Sequence, residues 1–516
     1  MNRFLILIMF IVAVNSQLRA ADYPNILFIY TDDQSTRTVS AYPDAYHWVD
    51  TPNIDALASE GVLFKHAYIG AWCMPSRATI LTGLQQHAIE SMRMEGLYPG
   101  SKYDPDKCKF WPADFRKQGY HTAQIGKWHT GIDTGFGRDW DYQVVWNRPR
   151  YPLNAPNYFY DQLIETNGQP PVMTEGYTTD NYTALALDYI KGKHRDESKP
   201  WYLWLCYGAV HGPFTPADRH LDEYQNADTP DIADIFPGRP GKPEYIQEME
   251  MWARGKNDEP IEKKRPGPTP VGMLDLPGRT LRDWVQQYHQ GVLAIDESVG
   301  LLMNALLETG QLDNTIVVYT SDQGFAWGQH GLKGKVAPYQ AALAAPTIFR
   351  LPDNMAKGYR SRGTVVESPI SGSDIPVTFY SLVGLKAPWK MHGHDLTPLL
   401  RDPIADWKHP ALLVHTAKLY GSATDTIPAK GDPNLFHGPA PWYVLLSEGC
   451  YKYTRNLIEG EVEELYDQVA DLAEIRNLAL EPEYKSLLKH YRQMAIKELK
   501  RTEAGFVNEL PAVATK

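Results

Sequence analysis

Short unbroken apolar runs alternate along this chain with longer stretches whose apolar positions recur at helical spacing, the pattern of buried strands joined by helices. Asn25-Ile-Leu-Phe-Ile-Tyr30 is one such run and ends at Thr31-Asp32-Asp33. Trp201-Tyr-Leu-Trp-Leu-Cys-Tyr207 is a second, and Thr315-Ile-Val-Val-Tyr-Thr320 is a third that ends at Ser321-Asp322-Gln323-Gly324. A helix is predicted over Asn53 to Glu60, ahead of a short strand at Val62 to Phe64, and a long helix over about residues 281–307. The alternation predicts an α/β fold with a large, doubly wound, mixed or mostly parallel sheet flanked by helices. Two distant strands then deliver carboxylates at their C-terminal ends, where open α/β sheets carry their ligands.

The pattern breaks in three places. From about residue 218 to 278 the chain is rich in Pro, Gly and charge with little periodicity, which marks a long excursion near the entrance to a site. After Pro398-Leu-Leu400, short strands such as Ala411-Leu-Leu-Val-His415 and Trp442-Tyr-Val-Leu-Leu446 precede a charged helix over about 481–501. Residues 21–400 are therefore read as the main α/β domain and 401–516 as a smaller domain of antiparallel sheet and helix. At the N-terminus, Asn2-Arg3, the apolar stretch Phe4 to Val14 and Leu18-Arg19-Ala20 read as a signal peptide over residues 1–20, too short to span a bilayer comfortably. The expected mature protein is periplasmic or secreted, with no stable membrane insertion.

At 516 residues, 43% hydrophobic and 22% charged, the chain can bury a sizeable core. Its net charge of -11 argues against a nucleic-acid or general polyanion binder, so an anionic substrate needs a local cationic cleft. Cys73, Cys108, Cys206 and Cys450 could pair in an oxidising compartment, although Cys206, inside an apolar run, is most simply a packed core residue. Asp32 and Asp33 alone would fit a helix cap or a solvated turn. Asp322 and Gln323 repeat the arrangement at a distant strand end, which gathers carboxylates that repel one another unless a hard cation sits among them. All-oxygen ligation without Cys or His suits calcium or magnesium better than zinc, and calcium is the more natural choice in an exported protein.

Cys73-Met-Pro-Ser-Arg77, continuing through Ala78-Thr-Ile80 to Leu81-Thr-Gly83, fits the pattern C-x-P-S-R-x-x-x-L-T-G at every defined position. A Cys-x-Pro alone would mean little, since small cysteines are commonly just buried apolar residues. On the full motif the chain resembles the type I, formylglycine-dependent sulfatases of the alkaline phosphatase superfamily. The resemblance extends to Pro24-Asn25 through Asp33, to Thr51-Pro-Asn-Ile-Asp-Ala-Leu57, to Gly126-Lys127-Trp128-His129 and to Val210-His211-Gly-Pro213. It continues at Ser321-Asp-Gln-Gly324, at Gly331-Leu-Lys-Gly-Lys335, at Gly393-His-Asp-Leu-Thr-Pro-Leu-Leu400, and at Glu464-Leu-Tyr-Asp467 with Asn477-Leu-Ala479.

The resemblance implies that a dedicated maturation enzyme oxidises Cys73 to formylglycine, whose hydrate offers one hydroxyl to attack sulfur and a second to expel sulfate afterwards. It implies that Asp32, Asp33, Asp322 and Gln323 hold one cation together with the modified Cys73. Arg77 would fix the hydrate, and Lys127 and Lys335 would contact the sulfate oxygens. His129 would take the hydroxyl proton during elimination, and His211 would face the ester oxygen and help the leaving group depart. Each of these side chains taken singly would more simply be exposed or structural.

Gln323 stands where the family more often has Asn or His, and Gln340 and Ala344 stand where it often has a Glu and an Arg. Loss of both members of an ion pair together is close to neutral for stability. The expected activity is hydrolysis of sulfate monoesters on a sulfated polysaccharide or its oligosaccharides. Phosphate or phosphonate ester hydrolysis within the same superfamily, and a non-catalytic sulfated-sugar-binding protein, are the alternatives. The chain has 14 Trp and 31 Tyr, and the stretch from Tyr142 to Tyr160, with Trp146, Arg148 and Arg150, is the expected place for sugar contacts, unless its aromatics pack internally.

Overall fold

The computed structural model describes residues 23–90, 104, 106–107, 109–264 and 274–514; the expected signal peptide and Cys108 lie outside them. Ten strands share one sheet: β1 (Asn25–Thr31), β2 (Val62–Phe64), β3 (His121–Trp128), β4 (Tyr142–Asn147), β5 (Tyr160–Thr166), β6 (Val172–Tyr177), β7 (Trp201–Cys206), β8 (Thr315–Ser321), β9 (Thr347–Arg350) and β10 (Thr364–Val366). Their order across the sheet is β10-β2-β9-β8-β1-β7-β3-β4-β5-β6. The central strands β8, β1, β7, β3 and β4 run parallel, and antiparallel β9 and β5 flank that block. Every residue of β1, β7 and β8 is buried, which is why their sequences are apolar runs without alternation.

Strand periodicity divides β1 between two apolar layers, with Ile26, Phe28 and Tyr30 in one and Leu27 and Ile29 in the other. Helix α1 (Pro52–Glu60) and the long α3 (Leu281–Glu308) close the second layer through Ile54, Leu57, Trp284, Tyr288 and Ile295. Helix α2 (Cys73–Thr82) and α4 (Asp374–Leu382) belong to the first, with Ile80, Leu81, Ile375 and Phe379 inside it. The α3 N-cap is Thr280, whose hydroxyl accepts from the Asp283 N–H at 3.0 Å.

A second sheet is antiparallel, with β11 (Ala411–His415), β12 (Tyr443–Glu448), β13 (Tyr451–Asn456) and β14 (Glu463–Asp467) side by side in that order. Its Leu412, Val444 and Leu446 pack with Leu488, Tyr491 and Leu499 of helix α5 (Lys485–Arg501). Its Leu413, Tyr443, Leu445 and Tyr466 instead join the first layer of the large sheet, so the two sheets share apolar packing. The final helix begins four residues later than the pattern predicts, because a 3-10 turn at Pro482–Tyr484 precedes it. No disulfide joins Cys73, Cys206 and Cys450, the cysteines among the described residues.

Helix α1 is capped from outside its own sequence. Thr51 makes no side-chain cap bond, and Asp296 of α3 accepts from the backbone N–H of Asn53 and Ile54 at 3.0 and 2.8 Å. A carboxylate there also complements the positive end of the helix dipole. Asp296→Ala is expected to leave these donors unpaired at a cost of about 1–3 kcal/mol, read as a lower thermal-unfolding midpoint.

Candidate active site

The C-terminal edge of the parallel block gathers the predicted site residues. Asp32 and Asp33 follow β1, and Asp33 takes a positive φ of 58° that turns the chain away from the strand direction. The Tyr288 hydroxyl donates to the Asp33 carbonyl at 2.5 Å, and the Asp33 N–H donates to Asp322 Oδ1 at 3.0 Å, which ties the ends of β1 and β8 together. Backbone bonds from Asp32 N to Ala209 O (3.0 Å) and from Val210 N to Asp32 O (2.8 Å) extend the pairing past β7 and bring His211 alongside. Lys127 lies near the end of β3, just after Gly126, where a Cβ would sit 2.0 Å from the Cys206 carbonyl and φ is +106°. Only glycine permits that approach. Cys73 opens α2, a helix buried along its whole length, so the sulfur lies at the positive end of a helix dipole.

Cys73 Sγ is 3.2 Å from Asp32 Oδ1 and 3.0 Å from Lys335 Nζ. The Lys335 ammonium donates to both Asp33 oxygens, at 2.7 and 2.9 Å, and Lys127 pairs directly with Asp32. The fully buried Arg77 places Nη2 3.3 Å from Asp322 Oδ2 and 3.6 Å from Asp32 Oδ2. His211 Nε2 is 3.6 Å from Asp33 Oδ2, while Nδ1 lies 2.9 Å from the Gly212 carbonyl and so carries the proton. Arg148 Nη1 donates to His129 at 3.1 Å. Lys335, whose side chain is 16% exposed, and the half-buried His129 are the members that reach toward solvent. The pocket is thus the local cationic cleft in an acidic protein that its overall charge calls for.

Burial pushes the Cys73 thiol up to about 12 although Lys335 pulls it back, and raises Asp33 to about 6 against the same lysine. Burial also opposes the charge of Lys335, but Asp33, Cys73 and Asp322 outweigh it and hold the ammonium above its ordinary range. Burial, reinforced by Arg148 and Lys127, holds His129 well below the usual histidine range; burial and Lys335 do the same to His211. Both imidazoles are therefore neutral near pH 7, the state that can accept a proton.

Asp32, Asp33, Asp322 and Cys73 bring ligand atoms within 4.8 Å of one another, all buried; the three carboxylates are hard oxygen donors that fit a divalent cation, and the Cys73 sulfur stands where an oxygen would complete the set. Gln323 fits as well, after one adjustment. Its Nε2 faces Asp33 and Cys73, while Oε1 lies 3.2 Å from Ser76 Oγ. That hydroxyl has one proton, already directed to the Trp72 carbonyl at 2.7 Å, so it is a better acceptor than donor toward Gln323. In this structure Nε2 donates to Asp33 Oδ1; with a cation among the carboxylates, turning the amide over would give up that bond, present Oε1 to the ion and pair Nε2 with Ser76.

The three side chains expected to meet a sugar part ways. Trp146 is fully buried, with its indole N–H donating to Asn154 Oδ1 at 3.1 Å, so it packs inside and has no face for a sugar. Arg150, 54% exposed, turns to Glu165 at 3.3 Å. Arg148 alone of that trio joins the pocket, over the Tyr158 ring at 4.7 Å. The excursion over 218–278 braces the segment before Lys335: Trp252 Nε1 donates to Leu332 O at 3.0 Å, and Lys333 pairs with Glu262 at 2.6 Å. Gln340, at the first departure from the family pattern, is satisfied by the Tyr68 hydroxyl at 2.8 Å and by Glu474 Oε2 at 2.7 Å, and Ala344 bridges to Tyr68.

Two neighbours carry no signal that picks them out in the sequence. Tyr158 stacks on His211 with ring centroids 4.0 Å apart, one aromatic among many in its stretch. His437, from the C-terminal region, lies against Trp72, the residue before Cys73, with centroids 4.2 Å apart.

The fold and this pocket define an α/β protein with a buried acidic centre able to hold a cation. The family model for sulfatases matches residues 24–385, and the chain belongs to the sulfatase family. It is 29% identical to an N-acetylglucosamine-6-O-sulfatase of Bacteroides thetaiotaomicron over 93% of this chain and 87% of that one. It is 26% identical to an ulvan-active sulfatase of Formosa agariphila over 90% and 78%. A solved structure of a protein in complex with its substrate D-glucosamine-2-N,6-O-disulfate matches with a TM-score of 0.76 and 26% identity, covering 94% of this chain and 99% of that one. A phosphonate monoester hydrolase of Agrobacterium radiobacter shares the fold, with a TM-score of 0.65 at 20% identity over 93% and 96%.

Lys333 and Lys335 should separate cleanly. Lys333→Ala leaves Glu262 buried without its counter-charge and should cost about 3–5 kcal/mol of stability. Lys335→Ala takes the direct counter-charge from buried Asp33 and should also lower the midpoint, but unlike Lys333→Ala it should in addition remove a charge from the pocket and so lower kcat/KM by about two orders of magnitude.

Proposed function

We propose that this sulfatase is exported and cation-dependent, and removes sulfate from a sulfated polysaccharide or its oligosaccharides with a formylglycine made from Cys73 by a maturation enzyme. The observation that carries this reading is the placement of Cys73 at a helix start, 3.2 Å from Asp32 and 3.0 Å from Lys335, among three buried carboxylates. The hydrated aldehyde would supply one hydroxyl for attack on sulfur and a second for expelling sulfate. A cation held by Asp32, Asp33, Asp322 and Gln323, calcium or else magnesium, would lower the pKa of a bound hydroxyl and offset the sulfate charge.

The chain's own residues do the rest. Lys127 and Lys335 set positive charge where the sulfate oxygens gather charge in the transition state. Arg77, permanently charged and held by Asp322, fixes the nucleophilic group with a planar fork. His129, neutral beside Arg148, is in the state to take a proton, and His211, with its proton on Nδ1, presents an unprotonated Nε2 toward the pocket; to help an ester oxygen depart, that nitrogen would first take up the proton released by the attacking hydroxyl and then pass it to the leaving oxygen. Carbohydrate as substrate is supported by the names of the two similar sulfatases, one active on ulvan and one on N-acetylglucosamine-6-O-sulfate. We place the main domain at residues 21–400 and the smaller one at 401–516, after a signal peptide over 1–20.

The deciding experiment is the mass of the Cys73 peptide in protein made with a maturation enzyme, combined with turnover of a panel of sulfated oligosaccharides, an aryl sulfate and an aryl phosphate. A peptide lighter than encoded, with sulfate esters cleaved far faster than phosphate, is expected; full activity with an unmodified thiol would refute the reading, and faster phosphate turnover would move the protein to the superfamily's other chemistry. Arg148→Ala should lower kcat/KM by roughly two orders of magnitude on aryl sulfate as well as on oligosaccharide, because the guanidinium touches His129 and not a remote sugar position.

A further inference from the structure

The segment that presents Lys335 has a backbone its sequence does not favour. Val336 stands at φ 82° and is buried. A β-branched residue in this region is crowded against its own backbone and stays there only when its surroundings hold it. The holding groups come from the C-terminal sheet and the loop after it. The Tyr443 hydroxyl donates to the Val336 carbonyl at 2.7 Å, and the Lys452 ammonium to the Pro338 carbonyl at 2.6 Å. The Tyr339 hydroxyl donates to Glu464 Oε1 and the Gln340 N–H to Glu474 Oε2, both at 2.7 Å. Lys452 also pairs with Glu474, and Tyr443, Lys452, Glu464 and Glu474 are all buried.

Buried ionic groups are weak stabilisers compared with apolar packing, so a network of this kind calls for a positional reason. Here the reason lies one residue upstream, where Lys335 Nζ sits 2.7 Å from Asp33 and 3.0 Å from Cys73. We propose that this clamp sets the position of Lys335: Tyr443 and Lys452, supported by Glu464 and Glu474, are positioning residues that keep Val336 left-handed and so aim the lysine into the pocket. The inference rests on the reading of Lys335 as a sulfate contact. It gives the C-terminal sheet a part in catalysis without any contact to substrate.

The test uses the full chain, matured at Cys73, with aryl sulfate turnover and thermal unfolding measured together. Tyr443→Phe should lower kcat by about tenfold or more, part of the effect of removing a charge-stabilising donor, with little change in KM or in the unfolding midpoint. Lys452→Met should act in the same direction and serves if Tyr443→Phe does not fold. Val336→Gly alone should resemble the parent, because glycine takes positive φ freely. Added to Tyr443→Phe, it should restore most of the lost kcat, a rescue that a merely structural role would not produce. Tyr443→Phe should cost nothing further in a Lys335→Ala background, since both act through one group. Losses that multiply in that double variant, or a crystal structure of the Tyr443→Phe protein with Val336 still left-handed and Lys335 still on Asp33, would overturn the clamp. Full activity of Lys335→Ala would instead remove the role assigned to Lys335, and the crystal structure would still decide the clamp by itself.

Discussion

Three carboxylates buried together at the end of a parallel sheet set the terms for everything around them. Asp32, Asp33 and Asp322 repel one another and lose their hydration, so each charge must be answered locally or abandoned. Arg77, Lys127, Lys335 and the N–H of Asp33 all point inward to answer them. Such a cluster is a poor way to stabilise a fold. It is a good way to prepare a site, because a cation and an anionic ester entering it meet charges already in place and need no reorganisation.

Holding those charges uses most of the molecule. Tyr288 of α3 fixes the turn after β1 from the second layer, and α2 delivers Cys73 and Arg77 from the first. The segment carrying Lys335 is supported on one side by Trp252 and Glu262 of the excursion and on the other by Tyr443 and Lys452 of the small sheet. Elements far apart in the chain therefore share one task. The aperiodic excursion, expected near the entrance to a site, places Trp252 and Glu262 against the segment that leads to Lys335.

Much of this was legible before any coordinates. Strands β1, β7 and β8 are buried throughout and apolar along their middles because both faces are covered, and α3 repeats at helical spacing because one side packs on the sheet. The carboxylates at the ends of β1 and β8 could be placed together because parallel strands in one sheet finish on the same edge. Cys73, Arg77, Lys127, His129, His211 and Lys335 could be named because their motifs resemble those of the sulfatase family; taken singly, none of them stands out in the sequence.

What the tertiary structure alone decided depends on faces and on distant partners. Trp146 and Arg148 lie two residues apart where β4 ends and share one side, the guanidinium 5.2 Å over the indole ring, yet only the fold decides that the indole is sealed beneath while the guanidinium reaches on to Tyr158 and His129. Nothing in the sequence of Tyr158 or His437 says that one will stack on His211 and the other on Trp72. Val336 is a strand-forming residue by propensity and left-handed by context. Local sequence determines which residues prefer burial and which can bear charge; the packing of segments hundreds of residues apart determines which charges meet, because only the closed fold removes the water between them.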